Sequence, residues 1–412
     1  MENKFIKAGD VMGDSYKPKV LLIHNFYQFP GGEDSVFFNE KKMLEDNGHE
    51  VITYTRDNEE INKFRFWEKL FYPINTVFSI KTYKEVNKII LDNQIDIVHV
   101  HNTWPLISPS VYYAAFHSNI PVVQTIHNFR MICPGATLYH DGKICEDSLN
   151  NGLRSSLKLK IYKGSFIQTL ISAITLKIHR LLGTYRDVNY IFLTEFNKEK
   201  ILELNNKGRT IINKRKTFIK PNFVNSVVNS EIIPFNARKN QFIFVGRLDK
   251  LKGIRLLLES WKGISESDLI ICGSGPEAEW CNDYILDNGL SNVKMMGLVS
   301  NDVALHMIAE SKALILPTQW YEGFPMTIVE SMACGTPVIG SNIGNVGNLI
   351  EDGVTGLKFK FDSVEKLRES VKGIFDMCQT SRNHYECHYT VDGNYAILSK
   401  IYQEINEREH TN

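Results

Sequence analysis

Short apolar runs recur along the chain, each followed by a longer stretch whose apolar positions return every three or four residues. VLLIH (20–24), VITY (51–54), DIVHV (96–100), VVQTIH (122–127) and YIFLT (190–194) have the length and continuity of buried strands. DSVFFNEKKMLEDNG (34–48) between the first two reads as an amphipathic helix that stops at Gly48. After a Pro- and Asn-rich connector (218–240) the pattern restarts. FIFVG (242–246), LIICG (269–273), VKMMG (293–297), ALILP (313–317) and PVIG (337–340) form a second set, and several of them end in Gly or Pro. Strands alternating with helices predict parallel sheets covered on both faces, with ligands at the carboxyl ends of the strands.

Length turns this into a two-domain expectation, because 412 residues exceed one ordinary core. The boundaries read as an extension over 1–17, a first doubly wound domain over 18–222, a linker over 223–240 and a second domain over 241–390. A last helix over 391–412 packs back on the first domain. Charged residues at 23% and apolar ones at 43% describe a soluble globular chain, and a formal net charge of zero gives no reason to expect nucleic acid. No run is long enough to span a membrane, and the start of the chain lacks the apolar core of a signal peptide. Seven irregularly spaced cysteines fit a reducing compartment, so the expected location is the cytoplasm.

Candidate chemistry collects at the strand ends of the second half. FVGRLDKLKG (244–253) puts Arg247 and Lys252 at a strand-to-helix turn, where two cations suit a diphosphate; a basic surface turn is the bland alternative. ICGSGPEAEW (271–280) carries Gly273 and Gly275 without a third glycine, which is a weak nucleotide signal. PTQWYEGFPMTIVESMACGTPVI (317–339) places Glu322 in a loop and Glu330 eight positions later within a helix that Pro325 opens. Their different settings suit two different sets of hydroxyls. Singly, each motif is also compatible with a solvated loop or helix face.

Together, GRLDKLKG (246–253), GSGP (273–276), EGFPMTIVE (322–330) and EDGVTGLKF (351–359) resemble the retaining family-4 glycosyltransferases of GT-B fold and surface-polysaccharide type. The resemblance extends through PGGEDSVFFNE (30–40), DIVHVHNTWPLISPSVYYAA (96–115) and TIHNFRMICPGATLYHDGKICED (125–147), and spans roughly residues 18–405. It implies two Rossmann-like domains facing across a cleft. By the same resemblance, Gly246, Arg247, Lys252, Gly273 and Gly275 would line the donor diphosphate side. Glu330 would hold the ribose, and Glu322 with Gly323, Phe324 and Pro325 the transferred sugar. Gly31 and Gly32 would approach the diphosphate from the first domain, and His127 would reach the donor sugar. Glu33 and Asp34, next to the glycine loop, are acceptor candidates.

The implied reaction is a front-face substitution with retention, in which Glu322, His127, Arg247 and Lys252 carry the chemistry. The donor is a nucleoside-diphosphate sugar, with UDP preferred over GDP, and no further cofactor is expected. No Asp-x-Asp pattern is placed to hold a metal. His99 and His101 share a strand face, which invites a metal reading, and His127, Cys133, His140 and Cys145 have spacings that invite a zinc reading. Ser148 stands where relatives carry a further cysteine, and the metal-free reading is preferred for both groups.

The region 154–220 is basic, with Lys214, Arg215, Lys216 and Lys220 at its end, and contains the apolar GSFIQTLISAITL (164–176), as a helix lying on an anionic membrane through 154–186 would; a core helix with a basic rim fits the same pattern. The acceptor is then a saccharide or a polyprenyl-diphosphate-linked saccharide, met at the inner face of the plasma membrane. YPINTVFSIKTYKEVNK (72–88) is another candidate element on that side. The competing functions are a sugar-nucleotide epimerase of the same architecture, a nicotinamide oxidoreductase, which the broken glycine fingerprint disfavours, and a non-catalytic sugar-nucleotide-binding module.

Overall fold

The computed structural model describes residues 17–28, 31–207, 210–224 and 231–410. Most of the expected extension, 225–230 of the expected linker and the end of the last helix lie outside the described residues. So does Pro30, which opens the motif over 30–40.

The apolar runs become two six-stranded, all-parallel sheets. The first contains β1 (Val20–Phe26), β2 (Val51–Asp57), β3 (Ile97–Val100), β4 (Val122–Ile126), β7 (Asn189–Phe192) and β8 (Thr217–Ile219). Its order is β2-β1-β3-β4-β7-β8. Strands β5 (Tyr139–His140) and β6 (Lys143–Ile144) form a separate small hairpin. The second sheet contains β9 (Gln241–Val245), β10 (Asp268–Cys272), β11 (Val293–Gly297), β12 (Ala313–Leu316), β13 (Val338–Ser341) and β14 (Gly356–Phe359), in the order β11-β10-β9-β12-β13-β14.

The two orders differ. Counted within each domain, the first runs 2-1-3-4-5-6 and the second 3-2-1-4-5-6. Both reverse direction once, between β1 and β3 in the first sheet and between β9 and β12 in the second. At such a reversal neighbouring loops leave in opposite directions and open a crevice at the carboxyl edge.

Each sheet is sandwiched between apolar layers. In the first domain Leu21, Ile23, Val98 and Val100 face one layer, and Val20, Leu22 and Ile97 the other. The second layer is completed by Leu398, Ile401, Tyr402 and Ile405 from the last helix, Val391–His410. That helix therefore follows the second domain in sequence and packs on the first in space. Where the chain crosses back, Asn394 donates to the Pro221 carbonyl (2.6 Å) and accepts from the buried Lys220 ammonium (2.9 Å).

Some boundaries differ from the sequence expectation. The helix after β1 begins at Gly32, because the Asp34 carboxylate accepts from the Gly31 amide (2.9 Å) and organises the first turn. Pro325 sits at the N-cap of the helix Met326–Ala333, one position before its first residue. The segment 72–88 is divided between two helices, Phe66–Val77 and Ile80–Asn93, with the Ser79 hydroxyl capping the second.

Candidate active site

The reversal in the second sheet joins the loop after β9 to the loop after β12. Lys252 lies in a single 3₁₀ turn, and its ammonium reaches both oxygens of Glu322 at 2.7 and 2.9 Å. Glu322 is buried and also accepts from the Thr318 hydroxyl at 3.0 Å. Lys252 and Glu322, expected at separate parts of the donor, therefore form one ion pair in the ligand-free protein. Arg247 is the more open cation, with its side chain 62% exposed and Nε 3.5 Å from Asp249.

Glu330 lies on the helix Met326–Ala333, apart from Glu322. Burial raises its pKa to about 7, and a hydrogen bond with Asn301 opposes that rise. The two carboxylates thus differ in setting as well as position: Glu322 is paired with an ammonium, whereas Glu330 is held by burial with its pKa raised.

Gly273 and Gly275 fit close backbone approach, but the neighbour is the protein itself. A β-carbon on Gly273 would lie 1.9 Å from the Gly246 carbonyl oxygen, and one on Gly275 would lie 2.3 Å from that of Leu248. The Leu248 amide in turn donates to the Ser274 carbonyl (2.9 Å). These glycines clamp the loop that carries Arg247 against the loop after β10.

In the first sheet the reversal opens beside Gly31 and Gly32, both exposed. Among the described residues, a β-carbon on Gly31 would meet nothing within 4 Å, and one on Gly32 only the Met326 side chain of the other domain, at 3.7 Å. Space beside this loop is open, and it faces the start of the helix that carries Glu330. Asp34 turns inward, with its second carboxylate oxygen 2.7 Å from His24 Nε2, so it shapes the loop instead of facing an acceptor. Glu33 accepts from the Tyr27 hydroxyl (3.0 Å) and the Asn128 amide (3.3 Å). Burial pushes its carboxyl up to about 8 despite those bonds.

His127 follows β4 and stacks on His101, with Nε2 3.1 Å from His101 Nδ1. Behind them, Glu40 Oε1 lies 3.2 Å from His101 Nε2, and Glu40 Oε2 lies 2.7 Å from the Lys220 ammonium. Burial lowers the pKa of His127 well below its ordinary value, with the neighbouring His101 adding to the effect. A neutral His127 is thereby backed by a buried chain that reaches the last helix. His99 joins the same chain, with one ring nitrogen 2.7 Å from the Tyr402 hydroxyl and the other 2.8 Å from Thr125.

Glu40, His99 and His101 form the one group of potential metal ligands that comes together among the described residues. Both His99 nitrogens already have protein partners, and an ammonium sits against the carboxylate. A cation there would displace those bonds and meet the Lys220 charge, so the chemistry of the group fits a hydrogen-bonded network better than a metal site. Cys133, His140 and Cys145 do not converge into such a group, and Ser148 is bonded to the Ser156 hydroxyl (2.7 Å).

The two edges touch. A β-carbon on Gly323 would lie 2.0 Å from the His127 carbonyl oxygen, so glycine permits the two domains to meet there. The Gly323 carbonyl accepts from Asn197 and from Asn345, each at 2.7 Å, and Asn345 also bonds Asn197 (2.6 Å) and Thr194 (2.6 Å). Phe324 packs against the core below the loop. Asn197, Asn345 and Thr194 were absent from the sequence expectation: each is a single polar residue at or near a helix start, with no motif around it. Arg130 was missed as well. Its guanidinium lies over the rings of Trp104 (4.6 Å) and Tyr162 (4.9 Å) at the cavity beside His127.

This arrangement, two doubly wound domains meeting at their sheet reversals, defines the GT-B class. The family described as Glycosyl transferases group 1 matches residues 228–386, and the family described as Glycosyltransferase Family 4 matches residues 30–146. The chain belongs to these glycosyltransferases. An uncharacterized glycosyltransferase of Methanocaldococcus jannaschii is 25% identical over 363 residues, covering 86% of this chain and 87% of the relative. An uncharacterized protein from the cps region of Klebsiella pneumoniae is 25% identical over 317 residues, 76% of this chain and 75% of that one. Among solved structures, Anabaena HepE in complex with UDP-glucose aligns with a TM-score of 0.62 over 96% of this chain and 100% of that one. At 16% identity, that likeness is one of fold.

Proposed function

We propose that this glycosyltransferase moves a hexose, with retention of configuration, from a nucleoside-diphosphate sugar to a saccharide or lipid-linked saccharide in surface polysaccharide synthesis. The observation that carries the reading is the meeting of the two edges. The Gly323 contact joins the strand end that carries His127 to the loop that carries Glu322 and its partner Lys252, and Gly32 approaches Met326 at the start of the helix that contains Glu330.

In this reading Arg247 and Lys252 hold the diphosphate and take up the charge that grows on it as the sugar leaves. Glu322, fixed by Lys252 and Thr318, accepts from the sugar hydroxyls. Glu330 accepts from the ribose diol. The acceptor hydroxyl oxygen attacks the anomeric carbon on the face from which the diphosphate departs. The carbon–oxygen bond to the phosphate breaks, and the acceptor's proton passes to that phosphate oxygen. Glu322 is held by an ammonium, so it serves as a positioning acceptor and not as a nucleophile. Two protein cations on the diphosphate make a metal dispensable. UDP is the preferred carrier, in keeping with the UDP-glucose bound by the Anabaena protein. The Klebsiella relative from a cps region favours a surface polysaccharide as the product.

The test is the anomeric configuration of the product, read by proton NMR after turnover of a UDP-hexose in the presence of a chelator. Retention with undiminished turnover supports the reading. Inversion, or activity that appears only with added divalent metal, contradicts it.

A further inference from the structure

The helix Phe66–Val77 carries Phe66, Trp67, Leu70, Phe71 and Ile74 along one stripe, and every one of them is more than half exposed. It packs against the helix Phe166–Leu182, whose His179 ring lies 2.9 Å from the Val77 carbonyl. That second helix exposes Phe166, Ile167, Ile174, Leu181 and Leu182. A soluble domain seldom leaves two adjacent apolar helix faces uncovered without a partner for them.

The charge around these faces is as one-sided as their polarity. Residues 151–186 contain seven cations and no acidic side chain, in a chain whose formal net charge is zero. Across 61–84 the only acidic residue is Glu68, and its carboxylate accepts from the Arg65 amide at the helix start (2.7 Å). Lys63, Arg65, Lys69, Lys158, Lys160 and Lys163 are exposed. We propose that these two helices form a docking face for an anionic lipid bilayer, with the Phe66–Ile74 stripe entering the headgroup region and the lysines meeting lipid phosphates.

The chemistry favours lipid over a second copy. A symmetric self-contact would set the same cations against each other, whereas an anionic surface neutralises them. At 12 and 17 residues, both helices are suited to lying in the surface, and no helix among the described residues is long and apolar enough to cross a membrane. The face is also coupled to the site. The helix that turns Ile174 outward turns Thr175 and Leu176 into the cavity shared by His127, Trp104 and Arg130. A lipid-linked acceptor held in the bilayer would present its saccharide from that side. The inference rests on the lipid-linked form of the proposed acceptor.

The experiment is co-sedimentation of the full chain with phosphatidylcholine vesicles and with vesicles containing about one-third phosphatidylglycerol, with UDP binding measured in parallel. Binding is expected only to the anionic vesicles. The Trp67→Glu/Phe71→Glu variant should bind them at least roughly tenfold more weakly, and Lys158→Glu/Lys160→Glu/Lys163→Glu should lose its response to phosphatidylglycerol. Both should bind UDP as the wild type does, which also shows that they fold. Unchanged vesicle binding by both variants overturns the docking face. So does a lipid-free dimer that the same substitutions dissociate, because that assigns the face to a second copy. Loss of UDP binding in the wild type, with vesicle binding intact, instead sinks the donor-site reading and leaves the docking face standing.

Discussion

The two domains each put a glycine-bearing loop at the reversal of their sheet, and the glycines are there for opposite reasons. At Gly273 and Gly275 the missing β-carbons make room for the carbonyls of Gly246 and Leu248, so the loops lock together. At Gly31 no atom of the described residues comes within 4 Å of where a β-carbon would sit. One edge uses glycine to pack protein on protein, and the other keeps the space open. A glycine motif in a sequence therefore says that backbone must come close to something, without saying whether that something is the fold or the substrate.

The largest effect that would sharpen this contrast is on the second edge. Lys252→Ala removes the partner of buried Glu322 and, on the proposed reading, one of the two cations on the diphosphate, so turnover per folded molecule should fall by about 10²–10³. Steady-state kinetics with the UDP-sugar checks it, and near-normal turnover would break the assignment. Next, Gly273→Ala forces a side chain into the Gly246 carbonyl and should cost about 2–3 kcal/mol of stability without any ligand present. Chemical denaturation reads that loss.

Gly31→Ser is the counterpart. Serine is a good N-cap residue, so stability should change by less than about 0.5 kcal/mol, while donor affinity drops by roughly tenfold as the hydroxymethyl group enters the open space. If Gly31→Ser instead unfolds the protein, the two loops do not differ in the way described.

The smallest effect is in pH. Glu330 has its pKa raised to about 7 in the native protein against 4.5 for an ordinary glutamate. Between those values the native state holds a proton that the unfolded state has lost, so this group's contribution to stability falls as pH climbs from 4.5 to 7. On the proposed reading the ribose diol needs the carboxylate as an acceptor, so nucleotide affinity should rise a few-fold from pH 6 to 8. Glu330→Gln should flatten that profile, as calorimetric titration at several pH values would show.

Ten strands were legible because each is a compact apolar run with a turn signal after it. Of the sheet strands, β8 and β14 were not picked out, and neither were the two short strands of the β5–β6 hairpin. Strand β8 is three half-buried residues at the start of the connector, and β14 is four residues at the end of the EDGVTGLKF motif (351–359), which reads as one signature. Strand order is a property of pairing between distant segments, and nothing local in the sequence distinguishes 2-1-3 from 3-2-1. Glu322, Lys252 and Glu330 could be named because they stand in dense motifs. The Lys252–Glu322 pairing could not, because it joins positions 70 apart through the fold. The Glu40–His101–His127 chain was hidden for a similar reason. Its carboxylate sits among ordinary helix residues, and only the structure brings it beneath the histidines.

The central claim is that the two edges together make one nucleotide-sugar site. It is tested most directly by calorimetric titration of UDP, GDP and ADP into the wild type, Gly31→Ser and Glu330→Ala, all in a chelator. The account predicts that UDP binds the wild type without metal, and that a substitution in either domain weakens it. Undiminished binding in both variants, or no nucleotide binding by the folded wild type, would contradict it.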